Sequence, residues 1–422
     1  LLLMPSILES PRARGMRDLL PDEMERFRRV EQAFHSTCES WGFREIRTPV
    51  IEYLHLFTSA GTLSPQMLGR AYSFLDWDGW SGERVVLRPD ATIPTARLYR
   101  EHFTGQIGKF FYVQNIFRFA TGEEEREIWQ CGAELIGDTW PLGDVEVITV
   151  ARGVLLALGL HGVTVRLSRT GLVRAILVTA GYTLEEQLAL YDRILDGEAG
   201  VVTSIEERLP QLGAPLHLLF ESAGAQAGYL ANLRGAFAVA VPSILHPLDE
   251  LQTVVATLQA LQCPYELDLT MVRDFEYYTG PIFHLVINGH TVAMGGRYDS
   301  LVSVHHGEAL PACGFAIDVE RVAELLPARD MASSFQTVQV RPARGDAEDV
   351  ALAIMVTIEL QGSGFRAELI APDQSPACRW RLTVDPRSAR PRYELEDCTQ
   401  GTGTSADSME QIMTVLNRVN RR

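Results

Sequence analysis

Residues 116–137, IFRFATGEEEREIWQCGAELIG, decide how this 422-residue chain folds. The runs KFFYVQNIFRF and REIWQCGAELIG alternate apolar and polar side chains, a pattern typical of β-strands, and predict two antiparallel strands joined by a loop. Arg118 ends the first strand, where a strand can enter a ligand pocket. The loop carries Glu123, Glu124 and Glu125, where it would turn over that pocket. The stretch predicts either a site for a phosphate-bearing substrate or a site that has lost this function.

Helix and strand patterns continue upstream of this stretch. Apolar residues at helical spacing predict a helix over residues 21–40, with a cap signal at Asp18. The segment REIRTPVIEYLHLF predicts a strand that contains Pro49, and because proline donates no ladder hydrogen bond, it belongs at a sheet edge, a bulge or a dimer contact. RVVLRPDATIPTARLYR predicts a strand ending at Pro89 and then a helix.

The downstream patterns divide the chain into domains. Residues 183–262 are helical in pattern with few strand signals, which predicts a helical insertion. Strand signals then return, and the best linker follows Pro327. We therefore expect an α+β fold over residues 1–326, with an antiparallel sheet flanked by helices, and a small C-terminal α/β module over residues 336–422.

Composition limits the classes of function. The formal charge is −16 and Lys109 is the single lysine, so a large nucleic-acid footprint is not expected. The six cysteines have no metal-ligand spacing, which predicts no metal site, no disulfide framework and a reducing cytoplasm. No apolar run approaches the ~20 residues of a membrane helix, and the leading LLLMPSIL lacks the basic start of a signal peptide. We expect a cytoplasmic protein without a membrane partner.

Five segments concentrate polar groups at strand ends: LRPDAT (87–92), residues 116–137, MVRDFEYYTG (271–280), MGGRYDSL (294–301) and CGFAIDVER (313–321). Each alone has an ordinary structural explanation, such as a surface charge, a core-edge aromatic or a tight turn. In this order, however, they resemble the class II aminoacyl-tRNA synthetase core, and specifically the histidyl-tRNA synthetase branch. GFREIRTPVIE (42–52) resembles motif 1, which implies a homodimer. Arg118 and Arg321 stand at the arginines of motifs 2 and 3.

The resemblance implies a pocket for free histidine, lined by Asp90, Thr92, Arg118, Gln130, Glu134, Arg273, Tyr277, Tyr278 and Tyr298. Glu134 and Asp90 would accept hydrogen bonds from the α-ammonium, with Thr92 and Gln130 completing that end. Charge-assisted bonds of this kind contribute about 1.5–3 kcal/mol each. Asp90 departs from the glutamate that is typical of the synthetases.

The other end of the pocket would bind the rest of the amino acid. The resemblance implies that Tyr278 meets an imidazole nitrogen, that Tyr298 forms a wall beside the ring, and that Arg273 holds the carboxylate. The amino-acid half of the site is therefore expected to be complete apart from the change at Asp90.

The nucleotide half departs from the synthetase pattern. The motif 2 loop is shorter and acidic, and a phosphate about 5 Å from a carboxylate costs about 3 kcal/mol at an effective dielectric near 20. The alternative is that this loop is a solvated turn pointing away from the pocket. Asp318 replaces the usual glycine of motif 3, which leaves Arg321 as a residual nucleotide-site residue. Residues 336–422 resemble an anticodon-binding domain only in outline and lack its basic helix.

These departures fit one family of synthetase relatives, the regulatory subunits of short-form ATP phosphoribosyltransferase in histidine biosynthesis. LRPDAT, GAELIG and RTGLVRAIL (169–177) resemble that family most. The resemblance implies a subunit with no catalytic residue and no cofactor, which binds histidine and activates a short catalytic subunit. It further implies a homodimer within a larger hetero-oligomer and no tRNA partner. The alternatives are a divergent histidyl-tRNA synthetase, favoured by the survival of Arg118, Arg273 and Arg321, and another amino-acid-using paralogue.

Overall fold

The computed structural model describes residues 12–58, 69–77, 82–120, 125–137, 142–195, 198, 200–220, 228–269, 271, 278–302, 309–327, 337–374, 378–388 and 392–420. Its contacts divide the chain into two compact units, Leu1–Leu326 and Pro327–Arg422. No helix in these ranges is both long enough and apolar enough to cross a membrane.

The first unit contains an eight-stranded sheet in the order β1-β5-β6-β11-β10-β9-β7-β8 and a three-stranded sheet in the order β2-β4-β3. The large sheet is antiparallel except at its edges, where β1 pairs with β5 and β7 with β8 in parallel. The strands are β1 (Arg44–Glu45), β2 (Ile51–Tyr53), β3 (Ser73–Trp77), β4 (Gly82–Leu87), β5 (Gly108–Phe117), β6 (Glu127–Ile136), β7 (Thr164–Arg169), β8 (Tyr265–Leu267), β9 (Pro281–Ile287), β10 (His290–Arg297) and β11 (Ala312–Asp318).

Helices pack on both faces of the large sheet, and six of the described α-helices lie between β7 and β8, where the sequence predicts the helical insertion. They are α1 (Pro21–Ser40), α2 (Leu54–Thr58), α3 (Thr92–His102), α4 (Leu142–Ala157), α5 (Leu172–Thr179), α6 (Leu184–Leu195), α7 (Gly200–Arg208), α8 (Gly213–Phe220), α9 (Gly228–Phe237), α10 (Leu245–Ala260) and α11 (Val319–Leu325). The predicted helix over residues 21–40 and the two strands of residues 116–137 are confirmed.

Alternation along β6 separates the core from the candidate site. Cys131, Ala133 and Leu135 pack in the main hydrophobic core with α1 and α4. Because successive strand residues point to opposite faces, Gln130 and Glu134 lie on the other face of the sheet. That face carries the polar residues of the sequence motifs.

Two upstream predictions are wrong in detail. Asp18 does not cap α1: the backbone N–H of Leu20 donates instead to Glu23 Oε2 at 2.8 Å, and Asp18 pairs with Arg12. The single strand predicted around Pro49 is two short strands in different sheets, β1 and β2, followed by the short helix α2. The break has a physical cause. Pro49 donates no ladder hydrogen bond, and the buried side chain of Arg88 donates to the carbonyl oxygens of Thr48 and Pro49.

The described residues of the second unit form a five-stranded sheet in the order β13-β12-β14-β15-β16 and two helices. Its elements are β12 (Val338–Pro342), α12 (Ala347–Gly362), β13 (Ala367–Leu369), β14 (Trp380–Val384), β15 (Tyr393–Asp397), β16 (Thr402–Ala406) and α13 (Met409–Asn420). The sequence patterns missed β16, since TGTSA carries no apolar alternation and only Ala406 of it is buried. The apolar sides of the other strands and of both helices form one core.

Candidate functional site

Glu134 lies at the centre of the candidate site. It stands on β6 between Phe110 of β5 and Gly314 of β11, and it is only 1% exposed. A Cβ atom at residue 314 would lie 1.8 Å from Glu134 Oε2, so only glycine leaves room for this carboxyl group. The glycine of the GFAIDVER segment therefore shapes the floor of the pocket.

Three hydroxyl groups donate hydrogen bonds to the Glu134 carboxyl group. Thr92 Oγ1 and Tyr112 Oη lie 2.8 and 3.0 Å from Oε1, and the Tyr298 hydroxyl donates to Oε2. Burial nevertheless raises the pKa of Glu134 to about 8, although these three donors lower it. Among the residues that the structure describes, no cation pairs with this carboxyl group, and the ammonium group of a ligand would supply one.

The start of α3 brings Asp90 and Thr92 to the same place. Asp90 Oδ1 accepts the backbone N–H of Ile93 at 2.9 Å, which caps the first turn of the helix. The same aspartate contributes to the raised pKa of Glu134 through charge repulsion. Two buried carboxyl groups within electrostatic reach make this end of the pocket suited to a cation.

The other predicted pocket residues fall into two groups. Arg118 Nε donates to the Pro89 carbonyl oxygen at 2.9 Å, which holds it beside the LRPDAT segment. Gln130 lies four residues before Glu134 on the same face of β6, about 13 Å along the strand, and pairs with Asp318 of β11. A Cβ atom on residue 296 would come within 2.9 Å of the Tyr278 ring, so Gly296 allows Tyr278 to pack against β10. The remaining two predicted pocket residues lie outside the described residues: Arg273 and Tyr277.

Arg321, the predicted residual nucleotide-site arginine, is engaged by Asp318. Asp318 Oδ1 accepts the backbone N–H of Arg321 at 3.1 Å and caps α11, and its Oδ2 lies 3.2 Å from Arg321 Nε. Burial raises the pKa of Asp318, and the charge of Glu125 adds to this shift. The last glutamate of the acidic loop therefore lies in electrostatic reach of the motif 3 segment, whereas Glu123 and Glu124 lie outside the described residues.

Sequence reasoning missed two residues that support the pocket. Tyr112 faces Glu134, which could be inferred only once the register of β5 and β6 is known. Arg88 is 3% exposed and donates to the carbonyl oxygens of Thr48 and Asn115 at 2.8 and 2.7 Å. The position of Arg88 within the LRPDAT segment was the one sequence feature that could have indicated its role. Arg88 joins the broken motif 1 segment to the strand that carries Tyr112.

A buried ion pair holds the segment that carries Tyr298. Arg297 Nη2 lies 2.7 Å from Asp144 Oδ2, and both side chains are at most 6% exposed. Asp299 Oδ1 accepts the Ala312 N–H at 2.9 Å, and the Tyr298 N–H donates to the Ala312 carbonyl oxygen at 2.7 Å. The contact of the Tyr298 hydroxyl with Glu134 thus depends on the charged residues before and after it, Arg297 and Asp299.

The chain is similar to known proteins over most of its length. Residues 15–322 match the family model of histidyl-tRNA synthetase. An ATP phosphoribosyltransferase regulatory subunit from Dehalococcoides mccartyi (strain BAV1) is 41% identical over 409 residues, which cover 96% of this chain and 98% of that protein. The chain belongs to the family of ATP phosphoribosyltransferase regulatory subunits.

This regulatory-subunit family shares its fold with the synthetases. A histidine–tRNA ligase from Synechococcus sp. (strain JA-3-3Ab) is 31% identical, with 84% of each chain covered. A crystal structure described as an ATP phosphoribosyltransferase regulatory subunit/histidyl-tRNA synthetase from Bacillus halodurans C superimposes with a TM-score of 0.72 at 25% identity, over 89% of this chain and 95% of that one. The α+β, synthetase-like fold class is therefore confirmed.

Proposed function

We propose that this regulatory subunit binds free histidine in the pocket around Glu134 and activates a short-form ATP phosphoribosyltransferase catalytic subunit. Its family membership makes it a regulatory and not a catalytic chain of that enzyme, in histidine biosynthesis. One observation carries the proposal: the buried Glu134 carboxyl group accepts three hydroxyl hydrogen bonds and has no cationic partner among the described residues.

The chemistry of the pocket favours an amino acid over a nucleotide. The two carboxyl groups of Glu134 and Asp90 attract an α-ammonium and repel phosphate. On the nucleotide side, Asp318 and Glu125 place negative charge beside Arg321, where a triphosphate would need positive charge. The binding of histidine would act on the partner through a coupling free energy of about 1–3 kcal/mol.

We also propose a homodimer within a larger hetero-oligomer, working in the cytoplasm without tRNA. The three-stranded sheet that follows motif 1 exposes Ile51, Tyr53 and Phe74 on one face, each between 43% and 49%. Exposed apolar side chains grouped on one sheet face favour contact with another protein surface. In the second unit, α12 carries no lysine or arginine, so it offers no basic face to an RNA stem.

The second candidate function is a divergent histidyl-tRNA synthetase. The observation in its favour is that Arg118 and Arg321 occupy the positions of the motif 2 and motif 3 arginines. Against it, Asp318 neutralises Arg321. The two functions differ in whether ATP reacts on this chain.

Two assays on the purified full-length chain test the proposed function. We expect no histidine-dependent ATP–pyrophosphate exchange, and an increase in the activity of an added short-form ATP phosphoribosyltransferase catalytic subunit that histidine modulates. Robust exchange would favour the synthetase. If exchange and activation were both absent, the chain would be another kind of amino-acid-binding paralogue.

Histidine affinity should rise with pH. Because the pKa of Glu134 is about 8 in the empty pocket, about a tenth of the sites hold a carboxylate at pH 7 and half at pH 8. If only the carboxylate binds the ammonium, the apparent affinity increases about fivefold over this interval. Isothermal titration calorimetry in two buffers of different ionisation enthalpy should also show protons released on binding at pH 7.

The ligand itself provides the control for this pH effect. The imidazole of histidine titrates near pH 6.5, so it changes little above pH 7. A des-amino analogue, which lacks the ammonium, should bind weakly and release no proton. An affinity for histidine that stays constant from pH 7 to pH 8 would contradict the role of Glu134.

A further inference from the structure

Two cysteines of the C-terminal module lie in contact, although their spacing in the sequence does not indicate a pair. Cys378 precedes β14 and Cys398 follows β15, and their sulfur atoms are 3.4 Å apart. Both are free thiols and partly exposed, whereas the other four cysteines of the chain are buried. We propose that Cys378 and Cys398 form a redox-responsive dithiol, oxidised to a disulfide by small-molecule disulfides of the glutathione class.

The backbone places the two thiols on facing strands. Trp380 pairs with Asp397 in the antiparallel ladder of β14 and β15, and the Cys398 N–H extends the ladder by donating to the Arg379 carbonyl oxygen at 2.8 Å. The pair of cysteines thus closes the open end of this hairpin. The sulfur atoms need to approach by little more than 1 Å to reach the ~2.05 Å of a disulfide bond.

A basic side chain lies beside the two thiols. Burial, and then the hydrogen bond with Cys398, raises the pKa of Cys378 to about 11. Arg381 Nη2 lies 3.8 Å from Cys378 Sγ and lowers that pKa, because its positive charge stabilises the thiolate that disulfide exchange requires.

The reaction balances with the named oxidant. The thiolate of one cysteine attacks one sulfur of the small-molecule disulfide, forming a mixed disulfide and releasing one thiol. The thiolate of the other cysteine then attacks the protein sulfur of this mixed disulfide, forming the internal bond and releasing the second thiol. Two electrons pass from the protein to the oxidant, and the two protein protons leave on the released thiols.

The bond would restrain a short connection between two strands. β13 and β14 both pair in parallel with β12, on opposite sides of it, so the chain must cross over β12 between them. Such parallel crossovers commonly take a dozen or more residues, often with a helix, but here residues 370–379 suffice. Cys378 is at the end of this connection, so the disulfide would tie it to the turn after β15. A zinc site at the pair is disfavoured, since the described chain holds no group of three potential metal ligands.

Thiol counting on the full-length protein tests the proposal. After equilibration with reduced and oxidised glutathione, alkylation under denaturing conditions should label all six cysteines of the reduced protein and four of the oxidised protein. Peptide mapping should recover a Cys378–Cys398 linked peptide. Dithiothreitol should reverse both results, and oxidation should raise the thermal midpoint of unfolding by about 5 °C.

The variants Cys378→Ser and Cys398→Ser serve as controls, and each should lose the linked peptide and the thermal shift. The comparison of oxidised with reduced wild-type protein does not depend on how these variants fold. The proposal is overturned if six thiols persist at a glutathione ratio that oxidises a reference dithiol protein. It is also overturned if the reduced protein retains zinc through dialysis, or if the linked peptide joins other cysteines.

Discussion

The Glu134→Gln variant is expected to bind histidine at least tenfold, and up to about a hundredfold, more weakly than the wild type at pH 8. The change removes the negative charge of the carboxyl group to which three hydroxyl groups donate hydrogen bonds. A charge-assisted hydrogen bond contributes about 1.5–3 kcal/mol, and about 1.4 kcal/mol corresponds to a factor of ten. Isothermal titration calorimetry at pH 8, where half of the wild-type carboxyl groups are ionised, measures the loss directly.

The fold of this variant should survive, which separates binding from stability. Glutamine is neutral and of the same shape, and the raised pKa means that the wild-type side chain is already mostly neutral at pH 7 in the empty pocket. The hydroxyl groups of Thr92, Tyr112 and Tyr298 can rotate to accept from the amide. We expect the thermal midpoint to change by no more than about 3 °C.

Glu127→Gln is the matched control for this loss of charge. Glu127 lies at the start of the same strand, β6, and accepts a hydrogen bond from Asn115 Nδ2 at 2.6 Å, away from the hydroxyl cluster. Its variant should keep the wild-type affinity for histidine. An unchanged affinity in Glu134→Gln, or an equal loss in both variants, would show that histidine binds elsewhere on the chain.

The sequence could predict the elements that repeat a clear period. β5 and β6 are ten residues long each and alternate well enough to indicate strands, and α1 keeps helical spacing between a proline and a glycine, so these three elements were predictable. Short strands carry too few residues to show a period. β1 and β2 were merged into one strand because nothing in the local sequence reveals that Arg88, some forty residues later, takes the carbonyl oxygens of Thr48 and Pro49.

The residues of the candidate site also divide into those that the sequence predicted and those that only the structure reveals. The motif resemblance pointed to Thr92, Glu134 and Tyr298, which the structure brings together around one carboxyl group. It did not point to Tyr112, because a tyrosine inside an apolar run is usually a core residue. The opposition of Asp318 to phosphate was expected from its charge, but its two contacts with Arg321 depend on the turn from β11 into α11.

The largest effect on stability is expected from Arg297→Met. This change leaves the Asp144 carboxyl group, 3% exposed, without its partner at 2.7 Å, and Asp144 Oδ1 already has no hydrogen-bond partner among the described residues. Removing one member of a buried ion pair costs about 3–5 kcal/mol. Urea denaturation at pH 7.5 should show this loss in the free energy of unfolding, and histidine affinity should fall too, because the following residue, Tyr298, loses its anchor.

The pH dependence and a double variant distinguish a stranded charge from lost packing. Burial raises the pKa of Asp144 to about 6 even with Arg297 present, so without the arginine the pKa rises further and the group takes up a proton on acidification. Because a raised carboxyl pKa favours the protonated folded state, the stability deficit of Arg297→Met should shrink between pH 8 and pH 5. Adding Asp144→Leu should restore most of the lost stability, since an apolar pair can replace a buried ion pair. A deficit that is constant with pH and unrelieved in the double variant would mean that the arginine acts through packing alone.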